Sequence, residues 1–117
     1  MILVAGPYRS GTNDNPALIE ANVKAMTSTA LKLFQKGHLP MLGEWIALPL
    51  IDEAGSKAVG DAVFNELFHP SAIRLLQHCD AVLRIGGPSA GADEMVRIGQ
   101  EAGCQIFYDI GNVPAVS

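Results

Sequence analysis

The sequence contains little of what marks several large classes of protein. Only 17% of its 117 residues are charged, and acidic side chains outnumber basic ones, which gives a formal net charge of −4. A chain with this balance is not expected to bind a nucleic acid polymer or an anionic membrane surface as its main partner. No apolar run approaches the roughly 18 residues of a membrane span, and the first residues, MILVAGPY, lack the basic lead of a signal peptide. We therefore expect a cytoplasmic protein.

Cysteine and histidine are also scarce. The two cysteines, Cys79 and Cys104, each stand at the start of an apolar segment. We interpret them as reduced core thiols, and a disulfide between them is the alternative. None of the three histidines has a second histidine or a cysteine at ligand spacing, so the sequence predicts no metal site. The dinucleotide fingerprint G-x-G-x-x-G is absent as well, and we expect no cofactor.

Apolar residues, by contrast, make up 49% of the sequence, which is typical of a globular chain. A chain of 117 residues can form one hydrophobic core but is too short for two. We therefore expect a single domain over residues 1–117.

The segment from Cys79 to Tyr108 contains the strongest local signals in the sequence, and the other elements are predicted to pack around it. It is interpreted as a buried strand (Ala81–Ile85), a glycine-rich turn (Gly86–Gly91), a helix (Ala92–Ala102) and a second strand (Cys104–Tyr108). A strand that enters a helix through glycines brings free backbone N–H groups and the positive end of the helix to one point. Such a point suits an anion or a sugar hydroxyl.

The first third of the chain has clear boundaries. Ile2–Ala5 is wholly apolar, as in a central parallel strand that is covered on both faces. Asn15 and Pro16 are typical of an N-cap and a first helical position, and Gly37 is placed to end the long helix that follows. His38–Leu42 is predicted to form a second strand, which Pro40 makes short or confines to an edge.

The middle of the chain is less regular. Gly43–Gly60 mixes apolar residues with Gly, Pro and acids, and we interpret it as a loop with one helical turn at a functional site or an interface. A helix is predicted from Asp61, with a break and restart at His69 and Pro70. His69 is then interpreted as an N-cap, and a proton carrier is the alternative.

This alternation of strands and helices predicts an α/β fold, with an open parallel sheet of four or five strands and helices on both faces, as in flavodoxin-like and Rossmann-like domains. In such sheets, ligands bind outside the carboxyl ends of the strands, where the strand order reverses. The loops GPYRSG and GGPSAGAD leave the ends of two of these strands. Their convergence predicts a small-molecule site.

Several short motifs carry a family resemblance over nearly the whole chain. Gly6-Pro7-Tyr8 follows the first strand, Asp80 leads a later strand, and Ser-x-Gly-Ala opens a helix. In this order of elements the chain resembles the nucleoside 2-deoxyribosyltransferase superfamily, and within it the small branch labelled DUF4406, a domain of unknown function. The resemblance implies cleavage of the N-glycosidic bond of deoxyribonucleosides or their 5′-monophosphates, with the sugar passed to a second base or to water. It also implies a homodimer, with Gly43–Gly60 at or near the interface.

The resemblance assigns roles to individual residues. The loop Gly6–Tyr8 matches the substrate-lining loop of the family, and Ser89 and Gly91 match the turn that helps to hold a 5′-phosphate. The nucleophilic glutamate of the family falls four residues after that glycine, which here is Met95. Glu94, one position earlier, is therefore the candidate catalytic acid. The assisting aspartate of the family falls near residues 71 and 72, which are Ser and Ala.

Each candidate also has a structural alternative. Glu94 can be a solvated acid that complements the helix dipole, and Ser89 can be a helix cap. Arg9 can pair with a phosphate or lie exposed in its loop, and Tyr8 can stack on a base or fill a core or interface position. Trp45 can close over a base or pack between subunits. The predicted ligand-binding residues are Gly6, Pro7, Tyr8, Arg9, Trp45, Gly87, Ser89 and Gly91.

Two functions follow from this reading. The first is a nucleoside or nucleotide N-glycosidase or deoxyribosyltransferase that uses Glu94. The second is a catalytically silent protein that senses or sequesters a nucleotide-like molecule. The direction of the Glu94 carboxylate separates them, because an acid that faces the crevice permits chemistry and one that faces solvent favours binding alone.

Overall fold

The computed structural model of the protein describes residues 1–116. Its elements are, in chain order, β1 (Ile2–Ala5), α1 (Pro16–Gln35), β2 (Pro40–Met41), α2 (Gly43–Glu53), α3 (Ala62–Leu76), β3 (Ala81–Arg84), α4 (Ala90–Glu101), β4 (Gln105–Phe107) and a 3₁₀ helix (Ile110–Asn112). The four strands are all parallel and form one sheet in the order β2-β1-β3-β4. The predicted α/β class is confirmed, with four strands.

The central strand β1 is buried on both faces, which explains its wholly apolar sequence. Ile2 and Val4 belong to the hydrophobic cluster that packs under α1. Leu3 and Ala5 point the other way, into the cluster formed by α3 and α4. Because successive side chains of a strand alternate between the faces, helices cover both sides of the sheet, as expected.

The ends of α1 match their sequence signals. The side chain of Asn15 accepts a hydrogen bond from the backbone N–H of Ala17 at 3.0 Å, and Pro16 occupies the first helical position. Gly37 follows the helix with a φ of +96°, the left-handed conformation that glycine adopts without strain.

The interpretation of the middle segment as a loop was wrong. Gly43–Glu53 is a helix of 11 residues, and its buried positions Gly43, Ala47 and Ile51 recur every fourth residue. This spacing is present in the sequence, but apolar residues between these positions, such as Trp45, hide the periodicity. The buried stripe makes the segment helical because it packs against α3.

The predicted break at His69 and Pro70 was also wrong. Helix α3 runs without interruption through Pro70, and it is capped at its start by Asp61. Proline removes one helical hydrogen bond, but packing of the buried face of α3 outweighs that loss. His69 is therefore a mid-helix residue and not an N-cap.

The remaining differences concern the ends of elements. The second strand is shorter than the predicted His38–Leu42 and lies at the sheet edge, where Pro40 is tolerated. Cys79 and Cys104 are free thiols, and the Sγ of Cys104 lies 3.3 Å from the backbone oxygen of Cys79. None of the helices in residues 1–116 combines the length and the apolarity that a membrane crossing requires.

Candidate functional site

The strand order reverses between β1 and β3, and the two loops that leave these strands meet there. A Cβ built on Gly6 would lie 3.0 Å from Cγ1 of Ile85. The first loop therefore approaches Ile85 this closely only because residue 6 has no side chain. A Cβ on Gly86 would lie 2.7 Å from Cδ of Pro7, and Gly86 has a φ of +79°. The predicted convergence of these two glycine-bearing loops is therefore present in the fold.

Beside this meeting point lies a cavity of about 150 Å³. The end of β1, the loop after it, the start of α2, one side of α3 and the start of α4 all contribute to its wall. A cavity of this volume holds one six-membered ring, and the polar residues in its lining are Tyr8, Arg9, Ser10, Glu44, Asn65, His69 and Ser89.

Three aromatic rings form one wall of the cavity. The ring centroids of Phe64 and Phe68 are 4.8 Å apart with an interplanar angle of 17°, and those of Tyr8 and Phe68 are 5.0 Å apart. The two phenyl rings are stacked and the Tyr8 ring is tilted by 38° against Phe68, and aromatic side chains of this kind pack favourably with planar heterocycles.

Burial and the nearby carboxylate of Glu44 both raise the pKa of Tyr8, with burial as the larger cause. Its hydroxyl is therefore neutral across the physiological range and is able to donate a hydrogen bond. Tyr8 thus gives the aromatic wall a polar end.

Arg9 lies at the mouth of the cavity in a fixed position. Its Nε and one terminal nitrogen donate to the two carboxylate oxygens of Asp14, at 2.9 and 3.0 Å, and its guanidinium carbon lies 5.8 Å from the centre of the Phe64 ring. Thr12, which is buried, stabilises the conformation of this loop. Its hydroxyl donates a hydrogen bond to the backbone oxygen of Arg9 at 2.5 Å and accepts one from the N–H of Asp14 at 3.2 Å. The loop therefore holds the Arg9 guanidinium next to the aromatic wall, as one half of an ion pair with Asp14.

The start of α4 supplies the opposite side of the cavity. Ser89 is buried and caps the helix, since its Oγ accepts from the backbone N–H of Ala92 at 3.2 Å. As an acceptor in this cap, the Ser89 hydroxyl keeps its hydrogen available for a ligand. A Cβ on Gly91 would lie 3.0 Å from Cε1 of His69, so the glycine allows the imidazole to lie against the helix start.

The candidate acid Glu94 lies outside the cavity lining. Its carboxylate forms an ion pair with Arg97 on the outer surface of α4, and 43% of the Glu94 side chain is exposed. The hydrogen bonds from Arg97 hold the pKa of Glu94 below its usual value. The neighbouring Asp93 is also turned away and accepts from Nε of Arg84 at 3.1 Å.

Both positions that the resemblance assigns to catalytic carboxylates do line the cavity, but without carboxylates. Met95 and Ala72 occupy them. Met95 is nearly buried and belongs to the core cluster beneath α4. A thioether does not perform nucleophilic or acid–base chemistry on a glycosidic bond.

Glu44, which was not among the predicted site residues, is the carboxylate of the cavity. It lies in the first turn of α2, three residues beyond Met41, the last residue of β2. Burial raises its pKa, and a hydrogen bond from its own backbone N–H opposes this shift. An acid two residues beyond the predicted strand His38–Leu42 was the signal in the sequence, and the interpretation of Gly43–Gly60 as a loop obscured it.

Three other predicted site residues lie elsewhere. Trp45, next to Glu44, is 41% exposed and does not contribute to the cavity wall. Gly87 lies in a separate, shallow hollow, and its backbone oxygen accepts from Arg84 at 2.8 Å. Pro7 packs against Gly86 and so shapes the loop contact without lining the cavity.

No group of three His, Cys, Asp or Glu side chains within residues 1–116 is arranged to hold a metal ion. Comparison of the chain with protein-family models, with curated proteins and with solved structures finds no match in any of the three.

Proposed function

We propose that the cavity binds a nucleoside or a nucleoside 5′-monophosphate and that the protein cleaves its N-glycosidic bond, as a relative of the nucleoside 2-deoxyribosyltransferases. The observation that carries this proposal is the combination of an aromatic wall, an unpaired carboxylate and a helix start within one cavity. The aromatic wall suits the base, the carboxylate can act on the glycosidic bond, and the helix start suits a phosphate or a sugar hydroxyl.

In this proposal the base packs against Tyr8, Phe64 and Phe68. A cavity of about 150 Å³ accommodates a base ring, so the sugar extends towards the open side. There the hydroxyl of Ser89 and the N-terminal end of α4 bind sugar or phosphate oxygens, and Arg9 supplies a positive charge.

A second candidate function is binding without cleavage. It is favoured by the ion pair that turns Glu94 away from the cavity and by Met95 at the position of the family nucleophile. In that case the protein senses or sequesters the same class of ligand.

A thermal-shift series tests both candidates. The protein is heated with each of the deoxyribonucleosides and their 5′-monophosphates, and each mixture is analysed for free base by chromatography. A ligand that binds only the folded state raises the melting temperature by mass action. Stabilisation with base release supports the N-glycosidase, and stabilisation without release supports the silent binder. The free bases and deoxyribose 5-phosphate serve as controls, and no stabilisation by any nucleoside or nucleotide contradicts both functions.

We also propose that the protein is a homodimer of the cytoplasm. Helix α2 leaves Trp45 and Leu50 with 41% and 50% of their surface exposed, and burial of these large apolar side chains against a second copy would be favourable. Two free thiols fit a reducing compartment.

A further inference from the structure

We propose that Glu44 is the general acid of this site and donates a proton to a ring nitrogen of the departing base. The inference rests on the proposed function, because it needs a nucleoside in the cavity. It moves the catalytic acid from α4, where the sequence placed it, to the first turn of α2.

The first argument is position. Leu42, which is fully buried, anchors the start of α2 at the carboxyl edge of the sheet. Gly43 then packs against Ala72 of α3, so closely that a Cβ on Gly43 would lie 2.9 Å from the Cβ of Ala72. This contact brings Glu44 to the same cavity as the rings of Phe64 and Phe68. A base that packs on those rings therefore lies in the cavity that Glu44 also lines.

The second argument is that the other acidic side chains near the carboxyl ends of the strands are in ion pairs. Asp14 is paired with Arg9, Asp93 with Arg84, and Glu94 with Arg97. An adjacent guanidinium stabilises the ionised form of a carboxyl group, and an ionised carboxylate has no proton to donate. Asp14 and Glu94, whose pKa values their arginine partners lower, are therefore unsuited to act as proton donors, and Asp93 does not line the cavity.

Glu44 differs from them because no Lys, Arg or His forms an ion pair with it in the part of the chain that the structure describes. Burial favours its neutral form and raises its pKa. A carboxyl group that is desolvated and unpaired in this way retains its proton at a higher pH than an ordinary glutamate does, which a general acid requires.

The reaction balances with water as the only co-reactant. The carbon–nitrogen bond between the sugar and the base breaks, its electron pair stays with the base, and the base nitrogen takes the proton of Glu44. Water then adds to the anomeric carbon and gives up one proton, which returns Glu44 to its neutral form. The products are the free sugar and the free base.

Other titratable groups face Glu44 across the cavity. Tyr8 and Arg9 come from the loop after β1, and His69 comes from α3, while α4 contributes Ser89, Gly91, Ala92 and Met95, none of which titrates as an acid in the physiological range. His69 is the main rival as a proton donor, because its imidazole lines the same cavity and lies against the start of α4.

The experiment compares two substrates that differ in their need for a proton. 2′-Deoxyguanosine requires protonation of its leaving base, whereas the base of N7-methyl-2′-deoxyguanosine already carries a positive charge and leaves as a neutral molecule. We expect Glu44→Gln to lower kcat/KM for 2′-deoxyguanosine by about 10²–10⁴-fold, the usual contribution of a general acid. For the N7-methyl substrate the expected loss is less than about tenfold.

The matched control is Glu101→Gln, which makes the same change to an acid on the outer surface of α4 and is expected to leave both rates unchanged. Melting curves establish that each variant is folded, and Glu44→Asp, which restores a carboxyl group, is expected to recover part of the lost rate. In the wild type, kcat/KM for 2′-deoxyguanosine falls as the pH rises through the pKa of Glu44, and the N7-methyl substrate lacks this decline.

Three results overturn the assignment. An equal loss of Glu44→Gln activity on both substrates means that Glu44 does not act as the acid. A substrate-selective loss in His69→Asn or Glu94→Gln, in place of Glu44→Gln, gives the role to that residue. Wild-type protein that binds nucleosides but releases base from neither substrate excludes the reaction itself and leaves the silent binder.

Discussion

Gly43 of α2 and Ala72 of α3 are in such close contact that a Cβ on the glycine would lie 2.9 Å from the Cβ of the alanine. Real Cβ atoms do not approach each other to this distance, so only glycine permits this helix pair to pack as it does. Glu44 is the next residue after Gly43. The position of its carboxylate in the cavity therefore depends on the close contact that Gly43 makes with Ala72.

Substitution of Gly43 by alanine tests this dependence. We expect Gly43→Ala to lower the free energy of unfolding by about 1–3 kcal/mol, because α2 must move away from α3. The displacement of Glu44 should also weaken the thermal shift that a nucleoside produces. Gly87→Ala is the control, since a Cβ there has no atom within 4 Å and the melting temperature should hardly change. Equal melting temperatures for the two variants would contradict the predicted clash.

The raised pKa of Glu44 predicts how its substitution affects stability with pH. An acid whose pKa is higher in the folded than in the unfolded protein stabilises the fold fully below the unfolded value, near 4.5, and this contribution is lost as the pH rises through the folded value. Glu44→Gln removes the group that must ionise while buried. We therefore expect the melting temperature of Glu44→Gln, relative to the wild type, to increase between pH 4 and pH 8.

Melting curves at pH 4, 6 and 8 measure this difference, with Glu101→Gln as the reference for an exposed acid. A difference that stays constant across the series would mean that Glu44 is as well solvated in the folded protein as in the unfolded chain.

Asp61 has the opposite pH dependence. Its carboxylate caps α3 by accepting from the N–H of Phe64 at 2.8 Å, and it also accepts from the hydroxyl of Ser56 and the N–H of Lys57. The hydrogen bonds from Phe64, Lys57 and Ser56 lower its pKa from 3.8 to about 2. Its contribution to stability is therefore complete above the unfolded pKa and is lost as the pH falls through about 2.

Asp61→Ala is expected to lower the melting temperature at pH 7 on the order of 5 °C, the effect of losing one N-cap in a domain of this size. The difference from the wild type should shrink as the pH approaches 2. Asn15→Ala removes the cap of α1, which does not titrate, and its effect should stay constant over the same range. A pH-independent effect of Asp61→Ala would show that the charge of the cap is unimportant.

The position of Arg9, which is paired with Asp14, predicts that the protein binds a nucleoside 5′-monophosphate more tightly than the nucleoside. If Arg9 contacts the phosphate, Arg9→Gln should weaken binding of a nucleoside 5′-monophosphate about tenfold and leave binding of the nucleoside nearly unchanged. Asp14→Asn should have the opposite effect, because it frees Arg9 from its carboxylate partner. Calorimetric titration with a matched nucleoside and monophosphate measures both, and an equal loss for the two ligands in Arg9→Gln would exclude a phosphate contact.

Two exposed apolar side chains of α2, Trp45 and Leu50, predict the oligomeric state. We expect the wild type to sediment as a dimer and the double variant Trp45→Ser, Leu50→Ser to sediment as a monomer with an unchanged helical spectrum. Lys24→Ser on α1 is the control for an ordinary exposed position. A monomeric wild type at micromolar concentration would contradict the proposed homodimer.

The amino-acid sequence was sufficient to predict the central strands, the turn between β3 and α4 and the caps of α1. The reason is that these features depend on local rules. Ile2–Ala5 is apolar because it is covered on both faces, and Asn15, Pro16 and Gly37 fix the ends of a helix through backbone conformations that few other residues adopt. Once two such parallel strands are identified, the loops at their carboxyl ends are predicted to converge at the same edge of the sheet.

The set of residues that face the cavity depends on packing between helices and could not be predicted from local sequence. Propensity and spacing predict a break at Pro70, but burial of α3 against the sheet and α2 keeps that helix continuous. The same packing turns Glu44 inwards, while an ion pair with Arg97 that spans one helical turn turns Glu94 outwards. The direction of Glu44 depends on contacts between distant segments, whereas that of Glu94 depends on its place in α4, where one position along the helix changes the direction of a side chain by about 100°.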